Sequence, residues 1–365
     1  MRRVNSVNEN YAIGAFDRYN LGDLAFANVA QKYFKNLKYF SPFGEDFSHL
    51  KSVKSDSLKS IPKSGNYIFV GGEILSSSWY GAYMDIKKPG YRDLFMSENK
   101  YTTMLLSNLV KSRMKIDWKT PYIPNPENYK GKYIYLSVAG GTFVDEIMKL
   151  PSLQTYLSVR DKCTLEKFKY QNQEAILAPD SVSTLAFEHS DTRRTNNYRK
   201  LVIQCSYFWY KKNFTYLHTL IEDALREGME ISFCPFGYSN KHADQVAFGR
   251  ISTRYPHVKL EQPTNLSEYI RFLKSNDLFI GTSLHGHIIS SAIGLANMPL
   301  PGIPKIENYL ITWYPEVARF SKDYFKISKL LKFLSDYSQE FDEKRIRMAR
   351  EAERNILSSV EFIRQ

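Results

Sequence analysis

Asp277-Leu278-Phe279-Ile280-Gly281-Thr282-Ser283-Leu284-His285-Gly286-His287-Ile288-Ile289-Ser290-Ser291-Ala292 reads as a short apolar strand that breaks at a glycine. It then presents small polar residues and two histidines and continues as a helix of small residues. In an open α/β sheet such a junction is where ligands bind, because the carboxyl ends of strands meet the amino ends of helices there. A helix amino terminus carries unpaired N–H groups and a partial positive charge, so an anionic group beside His285 is favoured.

The same alternation extends outward in both directions. In the first half, Tyr11 to Phe16, Tyr67 to Val70, Tyr133 to Val138, Tyr156 to Val159 and Ala175 to Ala178 read as strands, each followed by glycine or an Asp-containing turn. Leu24 to Phe34 and Thr164 to Tyr170 read as helices. In the second half, Leu201 to Cys205 and Ile231 to Cys234 read as strands, Tyr216 to Arg226 and Leu266 to Lys274 as helices. Strand, loop, helix, strand predicts an α/β protein with mostly parallel sheets, arranged as two Rossmann-like domains facing across a cleft. The polar, basic segment Asp191 to Lys200 is the expected linker. The divisions expected are 1–190, 191–335 and a C-terminal helix, 336–365.

Composition sets the outer bounds. The 365 residues are 43% hydrophobic and 15% aromatic, enough for a large core. Fifty Lys plus Arg against 38 Asp plus Glu give a net charge of +12, which favours phosphates, anionic sugars or an anionic membrane surface. The positive residues are spread along the chain with no nucleic-acid-binding signature, so no nucleic-acid partner is expected. Cys163, Cys205 and Cys234 are odd in number and lack metal-ligand spacing. With no HExxH element and histidines only two apart at 285 and 287, no metal is expected. The polar segment Met1 to Asn10 is unlike a signal peptide, and no apolar run is long enough to span a bilayer. The expected location is cytoplasmic, with work at the membrane surface compatible with it.

Four further strand-to-helix junctions share the character of the first. Asn20-Leu21-Gly22-Asp23 closes a turn at Gly22 and places Asp23 where a helix amino cap belongs, either as that cap alone or as a cleft residue. Val70-Gly71-Gly72-Glu73 and Val138-Ala139-Gly140-Gly141-Thr142 are strands running into glycine pairs, and neither completes a dinucleotide fingerprint. Ser158-Val159-Arg160-Asp161 puts an arginine at a strand end, where its planar fork suits a carboxylate or phosphate, or an ion pair with Asp161 or another acid. Ala178-Pro179-Asp180-Ser181 ends the next strand, with Asp180 as a cap or site residue. His285 and His287 are candidates for the site or for packing of the loop.

Taken together in this order and spacing, Asn20-x-Gly22-Asp23, Gly71-Gly72, Ser158-Val159-Arg160-Asp161, Ala178-Pro179-Asp180, Gly281-Thr282-Ser283-Leu284-His285-Gly286 and Lys305-Ile306 resemble the polysaccharide pyruvyl transferase family. The resemblance runs over residues 8 to 312 and implies a glycosyltransferase-B-like fold. It also implies a ketal-forming enzyme that adds two hydroxyls of one sugar to C2 of phosphoenolpyruvate and releases phosphate, without a further cofactor. Under it, Arg160 is the clamp for carboxylate or phosphate, His285 the acid or phosphate partner and Lys305 a second cation. Asn20, Asp23 and Glu73 face the cleft as sugar ligands or as the base. Gly22, Gly72, Asp180, Ser283, Leu284, Gly286 and His287 complete the expected site. The sugar acceptor could be carried on a lipid at the inner membrane surface. Many relatives have Arg-Leu-His where this chain has Ser283-Leu284-His285, which leaves open which cation replaces that arginine.

Two rivals make different predictions. A nucleotide-sugar-dependent glycosyltransferase shares the two-domain arrangement and would bind a nucleoside diphosphate. A non-catalytic carbohydrate- or membrane-binding module would draw on the positive charge and on aromatics such as Tyr207-Phe208-Trp209-Tyr210. Those four residues follow a strand, and Trp209 is expected as a stacking platform for the acceptor, with core packing as the alternative.

Overall fold

The computed structural model describes residues 9–87, 100–170, 174–189, 197–239, 242–321 and 326–365. Of the expected linker Asp191 to Lys200, positions 191–196 lie outside the described residues.

In the first half, β1 (Asn10–Ile13), β2 (Leu37–Ser41), β3 (Glu45–Asp46), β4 (Lys54–Ser57) and β5 (Ser64–Val70) precede a small hairpin, β6 (Trp118–Thr120) and β7 (Ile123–Pro124). They are followed by β8 (Lys130–Val138), β9 (Thr155–Val159) and β10 (Ile176–Leu177). Without the hairpin these form an eight-stranded sheet of order β10-β9-β8-β5-β1-β2-β4-β3, parallel except at the β3–β4 edge. The interior strands read as continuous apolar runs because helices cover both faces. Tyr67 pairs with Tyr133 and Phe69 with Tyr135 across β5 and β8, and each pair stacks, with ring centroids 5.7 and 4.3 Å apart.

The second half holds β11 (Lys200–Gln204), β12 (Glu230–Phe233), β13 (Lys259–Leu260), β14 (Leu278–Gly281) and β15 (Ala296–Pro299). They form an all-parallel sheet of order β13-β12-β11-β14-β15. The fold is therefore α/β with two parallel-sheet halves, as the alternation requires. The strands read from sequence agree within a few residues, while β2, β4 and β15 are short, partly polar segments whose pattern gives no strand signal.

Both sheets reverse their direction of growth next to their first strand, between β1 and β5 in one and between β11 and β14 in the other. A crevice opens at such a switch point because the loops leaving its two strands turn to opposite faces. The two crevices face one another, and loops bind them together. Asn20 makes an isolated antiparallel bridge to Gly237, Leu21 N donates to Phe236 O (3.2 Å) and Tyr238 N to Tyr19 O (2.9 Å). Tyr19 stacks on Tyr238 with centroids 4.9 Å apart.

The C-terminal helix begins at Ile327 and runs unbroken to Arg364, across the expected division at 335. Arg345 donates to Ala292 O (3.0 Å), at the end of the helix Leu284–Ala292. Further along, Asn355 donates to Ser158 Oγ (3.0 Å) and accepts from Tyr156 Oη (2.8 Å) on β9. One helix thus braces elements of both halves directly behind His285 and Arg160.

Candidate functional site

Between the facing switch points lies a cleft of about 330 Å³. It is lined from the first half by Arg18, Asn20 and Asp23 after β1, by Gly71, Gly72 and Glu73 after β5, and by Arg160 after β9. The second half contributes Ser283, Leu284 and His285 after β14, together with Ser239, His242 and Lys305.

Three helices present their amino ends here. The helix Leu21–Tyr33 is capped by Asn20, whose Oδ1 accepts from Gly22 N (3.0 Å). Asp23, read as cap or cleft residue, lies within the first turn and not at the cap, because the Asn20 amide already fills the capping position with an extended backbone. The helix Leu284–Ala292 is capped by Ser283, which accepts from Gly286 N (3.2 Å). The helix Pro304–Trp313 starts with proline at its first turn and places Lys305 on the cleft wall. Converging amino termini leave backbone N–H groups and three partial positive charges around one space.

His285 is held against Phe26, edge to face with centroids 4.9 Å apart. Gly22 packs directly opposite it, and a Cβ there would lie 2.3 Å from His285 Nδ1, so any larger residue must push the ring aside. Gly71, at φ +53°, makes the equivalent room for Phe26, which a Cβ would meet at 1.9 Å. The Nε2 of His285 lies 3.7 Å from Asp180 Oδ2, too long for a hydrogen bond.

Arg160 is buried and donates from Nη1 to Asp180 Oδ2 (3.0 Å). Its carbonyl accepts from Trp313 Nε1 of the second half (2.7 Å). Asp180 is fully buried and also caps its own turn, with Oδ1 accepting from Val182 N (3.1 Å). Burial would raise its carboxyl, but His285 and Arg160 beside it hold it below the usual carboxylate range. The ion pair that stood as the alternative for Arg160 forms with Asp180, while Asp161 caps the helix Lys162–Lys169 by accepting from Thr164 N (2.7 Å). Buried Arg160 Nε and His285 Nε2 have no hydrogen-bond partner among the described residues.

Two residues prominent in the sequence lie elsewhere. Trp209, expected as a stacking platform, does not line the cleft. It is buried in the helix Tyr207–Lys212, donates Nε1 to Pro301 O (2.8 Å) and packs edge to face on Tyr216. His287 points away from the cleft into the second half, with Nε2 2.9 Å from Gly281 O and Nδ1 3.0 Å from Asn297 Oδ1. Burial pulls its imidazole down to about 4. Because helical residues two apart face different ways, only one of the two histidines could reach the cleft. Gly286 sits behind His285 as well, pressed on the Phe279 ring.

Two cleft residues, and one acid behind the cleft wall, carry no sequence signal. Arg18 is buried between Asp17 (Nη2 to Oδ1, 3.1 Å) and Asp85 (Nη1 to Oδ2, 2.5 Å). His242 Nε2 lies 3.2 Å from Asn20 Nδ2 across the halves. Asp244, behind the wall, gathers Phe236 N (2.8 Å), Gly237 N (3.0 Å) and Gln204 Nε2 (2.7 Å) on Oδ2 and so shapes the loop that meets Asn20. Burial raises its carboxyl to about 6 against those donors and nearby Lys305. Among the described residues, the lysine and arginine side chains that line the cleft are Arg18, Arg160 and Lys305. Among the described residues there is no group of three His, Cys, Asp or Glu that could hold a metal ion.

The family model for polysaccharide pyruvyl transferase matches residues 20–294, most of the chain. The chain belongs to the polysaccharide pyruvyl transferase family. As a pyruvyl transferase it is an enzyme of polysaccharide pyruvylation, and the matched span carries Asn20, Arg160, Asp180 and His285. No curated protein matches this pyruvyl transferase. Among solved structures it is similar to UDP-GlcNAc 2-epimerase from Neisseria meningitidis bound to UDP-GlcNAc, at 12% identity and a TM-score of 0.43, over 97% of this chain and 98% of that one. UDP-GlcNAc 2-epimerase from Methanocaldococcus jannaschii is similar at 10% identity and a TM-score of 0.43, over 80% and 83%. The wall teichoic acid polymerase TagF is similar at 11% identity and a TM-score of 0.40, over 96% and 90%.

Proposed function

We propose that this pyruvyl transferase takes phosphoenolpyruvate as donor and joins its C2 carbon to two hydroxyls of one sugar residue in a cell-surface polysaccharide or its oligosaccharide precursor. The product is a cyclic pyruvate ketal, and phosphate is released. The observation that carries this reading is the meeting of three helix amino ends with Arg160, Lys305 and His285 around one cleft. A donor with both a carboxylate and a phosphate needs such a field, and buried donors on Arg160 and His285 are left for it to satisfy.

Arg160 clamps one anionic group, with Asp180 fixing its fork, and Lys305 with the helix ends receives the other. His285 gives a proton to the C3 methylene, so positive charge develops at C2. One sugar hydroxyl adds to C2, assisted by Asp23 or Glu73 as base, and its proton returns the balance to the site. Loss of phosphate from C2 and attack of the second hydroxyl close the ring, the second proton leaving with phosphate. Phosphoenolpyruvate plus a diol thus becomes ketal plus phosphate, with no redox change.

Incubation with phosphoenolpyruvate and a panel of galactosides, glucosides and mannosides tests this. Phosphate release together with a mass gain of one pyruvyl group on a sugar is expected. His285→Ala should slow release by about a hundredfold while the protein stays folded. Calorimetric binding of a nucleoside diphosphate, with none of phosphoenolpyruvate, would instead indicate glycosyl transfer.

A further inference from the structure

The helix Lys100–Met114 turns an apolar face to water. Met104, Leu105 and Leu109 are 59%, 61% and 55% exposed, and Tyr101, in line with them, is 78% exposed. Spacings of three, four and eight residues put these four on one side of the helix. Single exposed apolar residues are ordinary, but a contiguous row of this kind marks an interaction surface.

Charge says what the row meets. Lys111 and Arg113 fall on the two flanks of the stripe, Lys115 follows immediately, and Lys100–Met114 contains no acidic residue. The whole chain adds a net charge of +12. An apolar stripe edged by cations is the pattern of a helix lying in a membrane interface, with side chains among acyl chains and cations at anionic headgroups.

The inner side of the same helix reaches the site. Thr103 lines the cleft, and Ser107 Oγ accepts from the backbone N–H of Tyr80 (3.3 Å), itself a cleft residue. Whatever the outer face rests on is therefore next to the cleft.

We propose that the outer face of Lys100–Met114 docks the protein on an anionic phospholipid surface, with the cleft opening beside it. The consequence for the acceptor, a sugar presented on a membrane-held carrier, rests on the pyruvyl-transfer reading; the docking itself does not and needs no phosphoenolpyruvate.

Flotation of the full chain with phosphatidylglycerol vesicles and with phosphatidylcholine vesicles tests the proposal. Binding to the anionic vesicles is expected, weakened about tenfold or more by Met104→Glu/Leu105→Glu/Leu109→Glu and, separately, by Lys111→Glu/Arg113→Glu. The milder Leu105→Ser/Leu109→Ser should weaken it in the same direction, with thermal unfolding unchanged. Absence of wild-type binding, or equal binding by all the variants, overturns the proposal. So does a wild-type dimer that the Glu variant converts to monomer without loss of vesicle binding, because the face would then be a contact between copies. Vesicle binding without phosphate release from phosphoenolpyruvate would leave the docking standing and overturn only the pyruvyl-transfer reading.

Discussion

Gly22 and His285 touch across the two halves of the molecule, so closely that a Cβ on Gly22 would come within 2.3 Å of Nδ1 and 2.5 Å of Cβ of the histidine. The first belongs to the helix after β1 and the second to the helix after β14. The imidazole is therefore placed by packing between halves as much as by its own helix. Gly22→Ala should displace the ring and lower kcat/KM for phosphoenolpyruvate by about a hundredfold, the cost typical of an ångström-scale misplacement. Circular dichroism should show the fold retained, and unchanged turnover would mean that the ring's position is immaterial.

Asp180 is the counter-charge that lets Arg160 stay buried. Asp180→Asn leaves a guanidinium in a dry setting with a neutral partner. The expected loss of stability is roughly 3–5 kcal/mol, read from urea unfolding at neutral pH. Arg160→Lys keeps the charge but not the planar fork, so it should raise KM for phosphoenolpyruvate more than it lowers kcat.

His287 gives a pH signature separate from catalysis. Its imidazole is held down to about 4 by burial, against an ordinary value of 6.5. Below pH 6.5 the unfolded chain takes up a proton that the folded chain refuses, so the stabilisation is complete above 6.5 and is lost as pH falls towards 4. The unfolding free-energy difference between wild type and His287→Asn should shrink by up to about 3 kcal/mol between pH 7 and 4.5. A constant difference would show that the ring titrates alike in both states.

Trp209 should behave as a packing residue. Trp209→Phe loses the hydrogen bond to Pro301 O and should cost about 1 kcal/mol. The acceptor KM should be unaffected, and a large rise in it would return the ring to the sugar site.

Strand-to-glycine junctions were readable because a parallel sheet covered on both sides demands continuous apolar runs, and because glycine, serine and asparagine at their ends have local backbone reasons to be there. Asn20, Gly22, Arg160, Asp180, Ser283 and His285 stand at such junctions, and Asn20, Arg160, Ser283, His285 and Lys305 line the cleft. Arg18 and His242 were silent, since an isolated cation in a loop has no periodicity, and Asp244 looks like any helix-start acid until the backbone N–H groups of Phe236 and Gly237 are seen to converge on it. Trp209 and His287 have chemistry that suits a site, but the helix each occupies turns it away from the cleft lining.

The sequence by itself determined the α/β class, the two halves, the family and the order of the junctions, because these depend on local propensity and on spacing along the chain. Which junction residues share a cleft was decided only by tertiary structure. The pairing of Arg160 with Asp180, the Gly22–His285 contact and the bridge from Asn20 to Gly237 join segments that are remote in sequence. Their geometry follows from the packing of two sheets and a bracing C-terminal helix, which no local pattern encodes.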